Sequence, residues 1–156
     1  MNTILIATDG SPSANEAVDM GLELAEAEHA RAVAVHVVPA MDLVPISGFG
    51  VAGAGAIPHE PNEDDRLPLD EAIARAEERD IALTTRLLEG DVVAQIVGYA
   101  NAIDADLIVV GSRGHGTLAS AVLGSVSRGL LREARRPVLV ARRAAGPVRR
   151  LAAMAG

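Results

Sequence analysis

The stretch VVGSRGHGTLASAVLGSVSRGLL, residues 109–131, contains the end of an apolar strand, a glycine-rich loop and the start of a helix. Gly114 and Gly116 allow the backbone to bend sharply, and Gly124-Ser125 opens the helix. A strand that leads through such a loop into a helix is typical of α/β folds. Because the first N–H groups of a helix lack partners within it, this unit also predicts an anion site built from main chain.

Strands and helices alternate along the rest of the chain. The predicted strands are residues 4–8, 32–38, 81–88, 106–112 and 137–142. Predicted helices occupy residues 11–30, begin again at Pro68 and at Asp91, and follow Gly124. The first is capped either by Ser11-Pro12 or by the pair Ser13 and Glu16, and Asp91 caps the third. This order predicts an open five-stranded parallel sheet with helices on both faces, and ligands beyond the carboxyl ends of strands one and four.

The composition and charge of the chain argue against several classes of function. The chain has 156 residues, the length of one domain, and is 49% hydrophobic but only 1% aromatic. All 14 basic residues are arginine, so lysine Schiff-base chemistry and the phosphate-binding lysine of a P-loop are excluded. A net charge of −7 argues against nucleic acid as a partner. No apolar run is long enough for a membrane span, no cysteine is present and the start lacks signal-peptide features, so we expect a cytoplasmic protein.

Two short motifs imitate the dinucleotide fingerprint. GFGVAG, residues 48–53, matches G-x-G-x-x-G but lies in a segment, 39–65, that we expect to be a long irregular, lid-like loop. The fingerprint requires a strand before it and a helix after it, so we interpret this copy as surface loop. GHGTLA, residues 114–119, follows a strand, but no acidic residue ends the next strand and only one strand remains.

Four residues carry a resemblance to a known family. Gly111, Gly114, Gly124 and Ser125 reproduce G-x2-G-x9-G-[ST], and the chain thereby resembles the ATP-binding subgroup of the universal stress proteins. The likeness begins at ILIATDGSPSA, passes through VHVV and ends at PVLVAR, so it covers nearly all of residues 1–142. It implies a Rossmann-like α/β fold with sheet order 3-2-1-4-5. It also implies a homodimer that pairs through the last strand, residues 137–142.

The resemblance also implies a ligand set. Asp9 would meet the ribose or a bound Mg²⁺, and the backbone of Val37 would recognise adenine. The loop glycines and the start of the last helix would hold ribose and phosphates. The implied contacts are Ala7, Thr8, Asp9, Val37, Val110, Gly111, Arg113, Gly114, Gly124, Ser125, Val126 and Ser127. No catalytic residue is implied.

Several of these features also have simpler interpretations. Asp9 alone is as well explained by a turn before the first helix, and Ser125 alone by a helix cap. His36 is expected to be a hydrogen-bonded sheet residue, and His29 and His59 to face solvent. Arg128 is interpreted as one of the cations that suit the end of a helix. Residues 143–156 are expected to form a mobile tail.

Three hypotheses for function remain. The first is an ATP-binding stress-response module that regulates through its nucleotide, as a homodimer with a protein partner of unknown identity. The second is a slow Mg²⁺-dependent ATPase or phosphotransfer enzyme, suggested by Asp9 and His115. The third is a dimeric interaction scaffold with a vestigial nucleotide site, because an edge strand such as PVLVAR exposes unpaired backbone groups.

Overall fold

The five predicted strands form one sheet in the computed structural model, which describes residues 1–48, 51–114 and 123–142. The strands are β1 (Thr3–Ala7), β2 (Arg31–Val38), β3 (Met41–Gly48), β4 (Val51–Pro58), β5 (Leu83–Glu89), β6 (Leu107–Gly111) and β7 (Val138–Ala141). The helices are α1 (Pro12–Glu28), a short 3₁₀ helix (Glu63–Arg66), α2 (Leu67–Glu77), α3 (Val92–Ala102) and α4 (Ser125–Glu133). In this part of the chain no helix is both long and apolar enough to span a bilayer. The predicted tail, residues 143–156, lies outside the described residues.

The main sheet is parallel throughout, in the order β5-β2-β1-β6-β7. Counted over its own five strands, this is the predicted order 3-2-1-4-5. The chain passes from β1 to β2 on one side and later crosses to β6 on the other side. The switch point therefore lies between β1 and β6, where a ligand is expected beyond the strand ends.

The core lies on both faces of β1, whose residues are all buried. Ile4 and Ile6 pack with buried residues of α1 and α2, while Leu5 packs with those of α3 and α4. Successive side chains of a strand point to opposite faces, so this division places two helices on each face. Burial of β1, β2 and β6 on both faces explains why these strands are nearly continuous apolar runs, whereas β5 at the edge of the sheet alternates in burial.

The helix starts follow the predicted capping rules. Ser11 caps α1, with its Oγ accepting the N–H of Ala14 at 3.2 Å and Pro12 at the first helical position. Of the two predicted caps the Ser11-Pro12 alternative is therefore the one observed. Asp91 caps α3 as predicted, accepting the N–H of Ala94 at 2.9 Å.

The expectation of an irregular segment over residues 39–65 is wrong. The structure forms an antiparallel hairpin there, β3 with β4, in register from Met41 opposite Pro58 to Gly48 opposite Val51, followed by the 3₁₀ helix. Glycine, alanine and proline have low strand propensity, so the composition of this segment concealed the pairing. GFGVAG joins two strands, and no helix follows it as the fingerprint requires, although residues 49 and 50 lie outside the described ranges.

His59 is also placed differently from the prediction, since its side chain is only 9% exposed. Its Nδ1 lies 2.9 Å from Asp42 Oδ1 on β3, and its Nε2 lies 3.0 Å from Asp65 Oδ2 on the 3₁₀ helix. Hydrogen bonds to Asp65 and then to Asp42 raise the pKa of His59 above its ordinary value. The pKa of Asp65 is lowered, first by the N–H of Asn62 and then by His59. His59 thus links the base of the hairpin, at Asp42, to the 3₁₀ helix, at Asp65.

This arrangement predicts a pH dependence of stability that requires His59. Because the pKa of His59 is raised, its contribution is complete below about pH 6.5 and is lost as pH rises through the folded-state pKa. The lowered pKa of Asp65 makes its contribution complete above about pH 4 and lost in stronger acid. Between about pH 4 and pH 6.5, the free energy of unfolding of the wild type should exceed that of the His59→Gln variant by the largest amount. Urea unfolding of both proteins at pH 5.5 and 8.5 measures this, and an equal difference at the two values would contradict it.

Candidate functional site

A cavity of about 440 Å³ opens at the carboxyl ends of the central strands. Its floor is formed by the ends of β1, β2 and β6, and the start of α4 closes one side. Its lining residues are Ala7, Thr8, Asp9, Ala14, Val35, His36, Val37, Val92, Ile96, Val110, Gly111, Arg113, Gly114, Leu123, Gly124, Ser125, Val126, Ser127 and Arg128. The volume is within the range of small-ligand sites, and the position is the one that the sheet topology predicts.

The two described ends of the glycine-rich loop meet at the start of α4. The N–H of Gly124 donates to the carbonyl of Ser112 at 2.8 Å. The N–H of Arg113 donates to Ser13 Oγ on α1 at 3.2 Å. A Cβ added at Gly124 would lie 3.3 Å from the Cα of Arg113, so these two backbone segments pack closely. The loop base is thereby tied to both α1 and α4, while residues 115–122 lie outside the description.

Gly111 and Gly114 lack side chains for two different reasons. A Cβ added at Gly111 would lie 2.6 Å from the carbonyl carbon and oxygen of Ser13, in the first turn of α1. A Cβ added at Gly114 would lie 2.7 Å from Oδ2 of Asp9. The first glycine lets a helix approach β6, and the second lets a carboxylate lie against the loop backbone. Of these two contacts, only the one between Gly114 and Asp9 places a charged side chain against the backbone that lines the cavity.

The N-terminus of α4 has the features of an anion site. Its N-cap is Gly124, and among the described residues no side chain caps the helix. The first-turn N–H groups of any helix have no partner within it and carry a partial positive charge. Ser125 is exposed at this end. Ser127 is buried, and its hydroxyl donates to the carbonyl of Gly111 at 2.7 Å, so its proton is already used.

Asp9 also lines the cavity, beside the loop backbone that packs against this helix end. Its Oδ1 accepts the N–H of Ser11 at 2.9 Å, while Gly114 lies beside its other oxygen. The described residues contain no group of three or more histidine or acidic side chains able to hold a metal ion. A Mg²⁺ ion commonly takes one or two carboxylates together with ligand phosphates and water, and Asp9 is a carboxylate of this kind in the cavity lining.

One part of the cavity wall is apolar. Val37 and Val110 are 7% and 5% exposed, and Ile96 of α3 is 2% exposed. His36, which also lines the cavity, has Nδ1 2.8 Å from the carbonyl oxygen of Thr8. Since a carbonyl only accepts, Nδ1 carries the proton there. The prediction of a hydrogen-bonded sheet histidine is confirmed.

All the residues predicted as ligand contacts from the resemblance line this one cavity. Sequence reasoning did not include seven further lining residues, namely Ala14, Val35, His36, Val92, Ile96, Leu123 and Arg128. Arg128 was predicted to lie in the last helical turns, but α4 begins at Ser125, so this arginine lies within one turn of the N-terminus. The sequence did hold a signal for this position. Arg128 follows Ser125 by three residues, and residues three apart lie on the same face of a helix.

The family is decided by comparison with known sequences. A model described as the universal stress protein family matches residues 1–142. The chain belongs to this family. Universal stress protein MJ0531 of Methanocaldococcus jannaschii is 33% identical over 141 residues, covering 90% of this chain and 81% of that protein. This universal stress protein spans only 45% of the length of three longer mycobacterial relatives.

Solved structures agree with this assignment. A universal stress protein from Burkholderia pseudomallei is 36% identical, with a TM-score of 0.64 over 89% of this chain and 94% of that one. A second, solved as a complex with cAMP, is 27% identical, with a TM-score of 0.67 over 90% of this chain and 96% of that one. The predicted family and the predicted fold are both confirmed.

Proposed function

We propose that this universal stress protein binds ATP, together with Mg²⁺, and acts as a nucleotide-dependent module of a stress response. The observation that carries the proposal is the convergence of every expected contact residue on one cavity. The apolar wall suits an adenine base, and the uncapped start of α4 suits the phosphates. A relative 27% identical to this chain was solved with cAMP, another adenine nucleotide.

The charges of the cavity support a phosphate ligand. Arg113 and Arg128 both line it, and arginine binds phosphate oxygens through a planar, permanently charged group. In this assignment Val37 and Ile96 contact the base, and Asp9 contacts the ribose or the metal ion. Asp9 would hold Mg²⁺, which when bound would supply positive charge to offset that of the phosphates. Helix α4 would hold the phosphates through its first-turn N–H groups.

The same geometry favours binding over turnover. Hydrolysis of ATP needs a group that positions the attacking water. Among the described residues, Asp9 already accepts the N–H of Ser11, and His36 donates to Thr8 through Nδ1. His115, named in the ATPase hypothesis, lies outside the described residues. We therefore infer a regulatory protein that releases its ligand unchanged. The cytoplasmic location expected from the sequence is a separate part of the proposal. Homodimerisation through β7 is part of the proposal, because this strand lies at the end of the sheet with β6 as its neighbour.

Nucleotide analysis of the purified protein tests the proposal. Acid denaturation should release an adenine nucleotide that chromatography identifies. Nucleotide-free protein should then bind ATP in a calorimetric titration, with cAMP and GTP as comparison ligands. Absence of an adenine nucleotide from the extract, together with no heat at millimolar ATP, would refute adenine-nucleotide binding. Stoichiometric phosphate release within minutes would instead favour the ATPase hypothesis.

A further inference from the structure

The backbone at the start of α4 has donors for a single phosphate group. The N–H of Gly124 already donates to Ser112, and the N–H of Arg128 donates to the carbonyl of Gly124 at 3.1 Å. The N–H groups of residues 125–127, between them, belong to the first turn, where a helix supplies no partner. Three N–H groups suit the oxygens of one phosphate. A longer phosphate tail therefore needs further positive groups.

Arg128 lies at the end of this first turn, where it is exposed and lines the cavity. Helical side chains point back toward the N-terminus of their helix, so the guanidinium of Arg128 extends over the turn that begins at Ser125. Ser125 lines the same cavity. A planar, permanently charged group that can bind two oxygens at once is thus placed beside the expected phosphate position.

The charge of Arg128 is also available to a ligand. Among the described acidic side chains none forms an ion pair with it, whereas Arg132, one turn further along α4, lies 2.7 Å from Glu133. Arg113 lines the main cavity and also a smaller one at the start of α1, beside Glu16. Arg128 lines the main cavity and not the smaller one. Of the two arginines in the main cavity, Arg128 is therefore the one committed to it.

The position of Arg128 is unfavourable for the helix itself. The N-terminus of a helix carries a partial positive charge, which repels a cation in the first turn and attracts an anion. The first turn of α4 has no acidic residue to offset this repulsion. Departures from the local rules of stability are expected at functional sites. A phosphate bound between the helix start and Arg128 would turn the repulsion into attraction.

We propose that Arg128 makes the cavity select for the number of phosphates, favouring adenine nucleotides with two or three phosphates over AMP. The inference rests on the proposed adenine-nucleotide function and assigns the ligand class within it. The N–H groups of residues 125–127 hold one phosphate, and the guanidinium of Arg128 binds oxygens of the next phosphates along the tail. AMP has no phosphate beyond the first and leaves Arg128 without a ligand.

Calorimetric titration of nucleotide-free protein with adenosine, AMP, ADP and ATP, at a fixed concentration of free Mg²⁺, tests the proposal. Arg128→Gln should weaken ATP binding about tenfold, as the loss of a charge-assisted hydrogen bond does. Its affinities for adenosine and AMP should change by less than about twofold. Arg128→Lys keeps the charge but loses the planar fork, so its affinity for ATP should lie between those of Arg128→Gln and the wild type.

Arg132→Gln is the matched control. It removes the same charge from the same face of α4, at a side chain that is 76% exposed and does not line the cavity. This variant should bind all four ligands as the wild type does. Without nucleotide, Arg128→Gln should unfold at the temperature of the wild type or slightly above it, because the helix loses an unfavourable charge.

The outcomes separate this inference from the proposed function. If Arg128→Gln weakens AMP as much as ATP, or leaves the affinity for ATP unchanged, Arg128 does not read the phosphate tail, while adenine-nucleotide binding still stands. A wild-type protein that binds none of the four ligands would instead refute the proposed function, and this inference with it.

Discussion

Ser125→Glu should reduce the affinity for ATP at least about 100-fold while leaving the fold intact. The new carboxylate lies at the first position of α4, where the proposed phosphates would meet the helix N–H groups. Two like charges about 4 Å apart near a protein surface repel by about 4 kcal/mol, and a factor of 100 corresponds to about 2.7 kcal/mol. The helix itself gains, because an acidic residue in the first turn stabilises it by about 0.3–1 kcal/mol. Calorimetric titration of nucleotide-free protein measures the affinity.

A matched control separates this effect from added charge in general. Leu67→Glu also places a glutamate in the first turn of a helix, α2, outside the cavity. It should bind ATP with unchanged affinity. Higher salt should narrow the gap between Ser125→Glu and the wild type, because ions screen the repulsion. If Ser125→Glu binds ATP as tightly as the wild type, the phosphates do not lie at α4, and the assignment of the loop and helix to the phosphate tail is wrong.

The parallel sheet could be predicted from the sequence because its central strands β1, β2 and β6 are buried on both faces. Such strands are uninterrupted apolar runs, and the helices between them have clear caps at Ser11 and Asp91. The hairpin of β3 and β4 could not be predicted in the same way. Its pairing depends on backbone hydrogen bonds between segments rich in Gly, Ala and Pro, and its exposed face carries no alternation of polar and apolar residues.

The part of the candidate site that could be predicted from the sequence is the part formed by backbone atoms. Glycines at fixed spacing indicate where the main chain turns or approaches another group closely. Gly111, Gly114 and Gly124 of the motif all line the cavity. Cavity residues on helices and strands outside the glycine motif were harder to predict from the sequence. Ile96 of α3 is a buried core residue, and the same side chain also lines the cavity. Tertiary packing decides that second role.

His59 shows a different limit of sequence reasoning. Its two partners are 17 and 6 residues away in sequence, at Asp42 and Asp65. Neither spacing corresponds to a helix face or a metal motif. Only the return of the hairpin to the domain brings the three side chains together.

Gly111→Ala should destabilise the protein by about 3 kcal/mol, even without ligand. The added methyl group would lie 2.6 Å from the backbone carbonyl of Ser13 and 2.8 Å from the N–H nitrogen of Ala14. These atoms belong to the first turn of α1, so relief requires movement of a helix that packs on the core rather than a side-chain rotation. Overpacking of this kind costs about 1–3 kcal/mol where neighbours can adjust, and rigid backbone places this position at the upper end.

Thermal and urea unfolding of nucleotide-free protein measure the loss, which corresponds to a fall in Tm of about 10 °C for a domain of this size. Gly98→Ala is the matched control. Gly98 is exposed within α3 and a Cβ there meets nothing within 4 Å, so the same substitution should stabilise the helix by about 0.5–1 kcal/mol. Opposite signs for two Gly→Ala changes would identify packing against α1, independent of any ligand, as the reason for glycine at 111. If Gly111→Ala is as stable as the wild type, α1 does not approach β6 this closely, and the ligand site alone must explain that glycine.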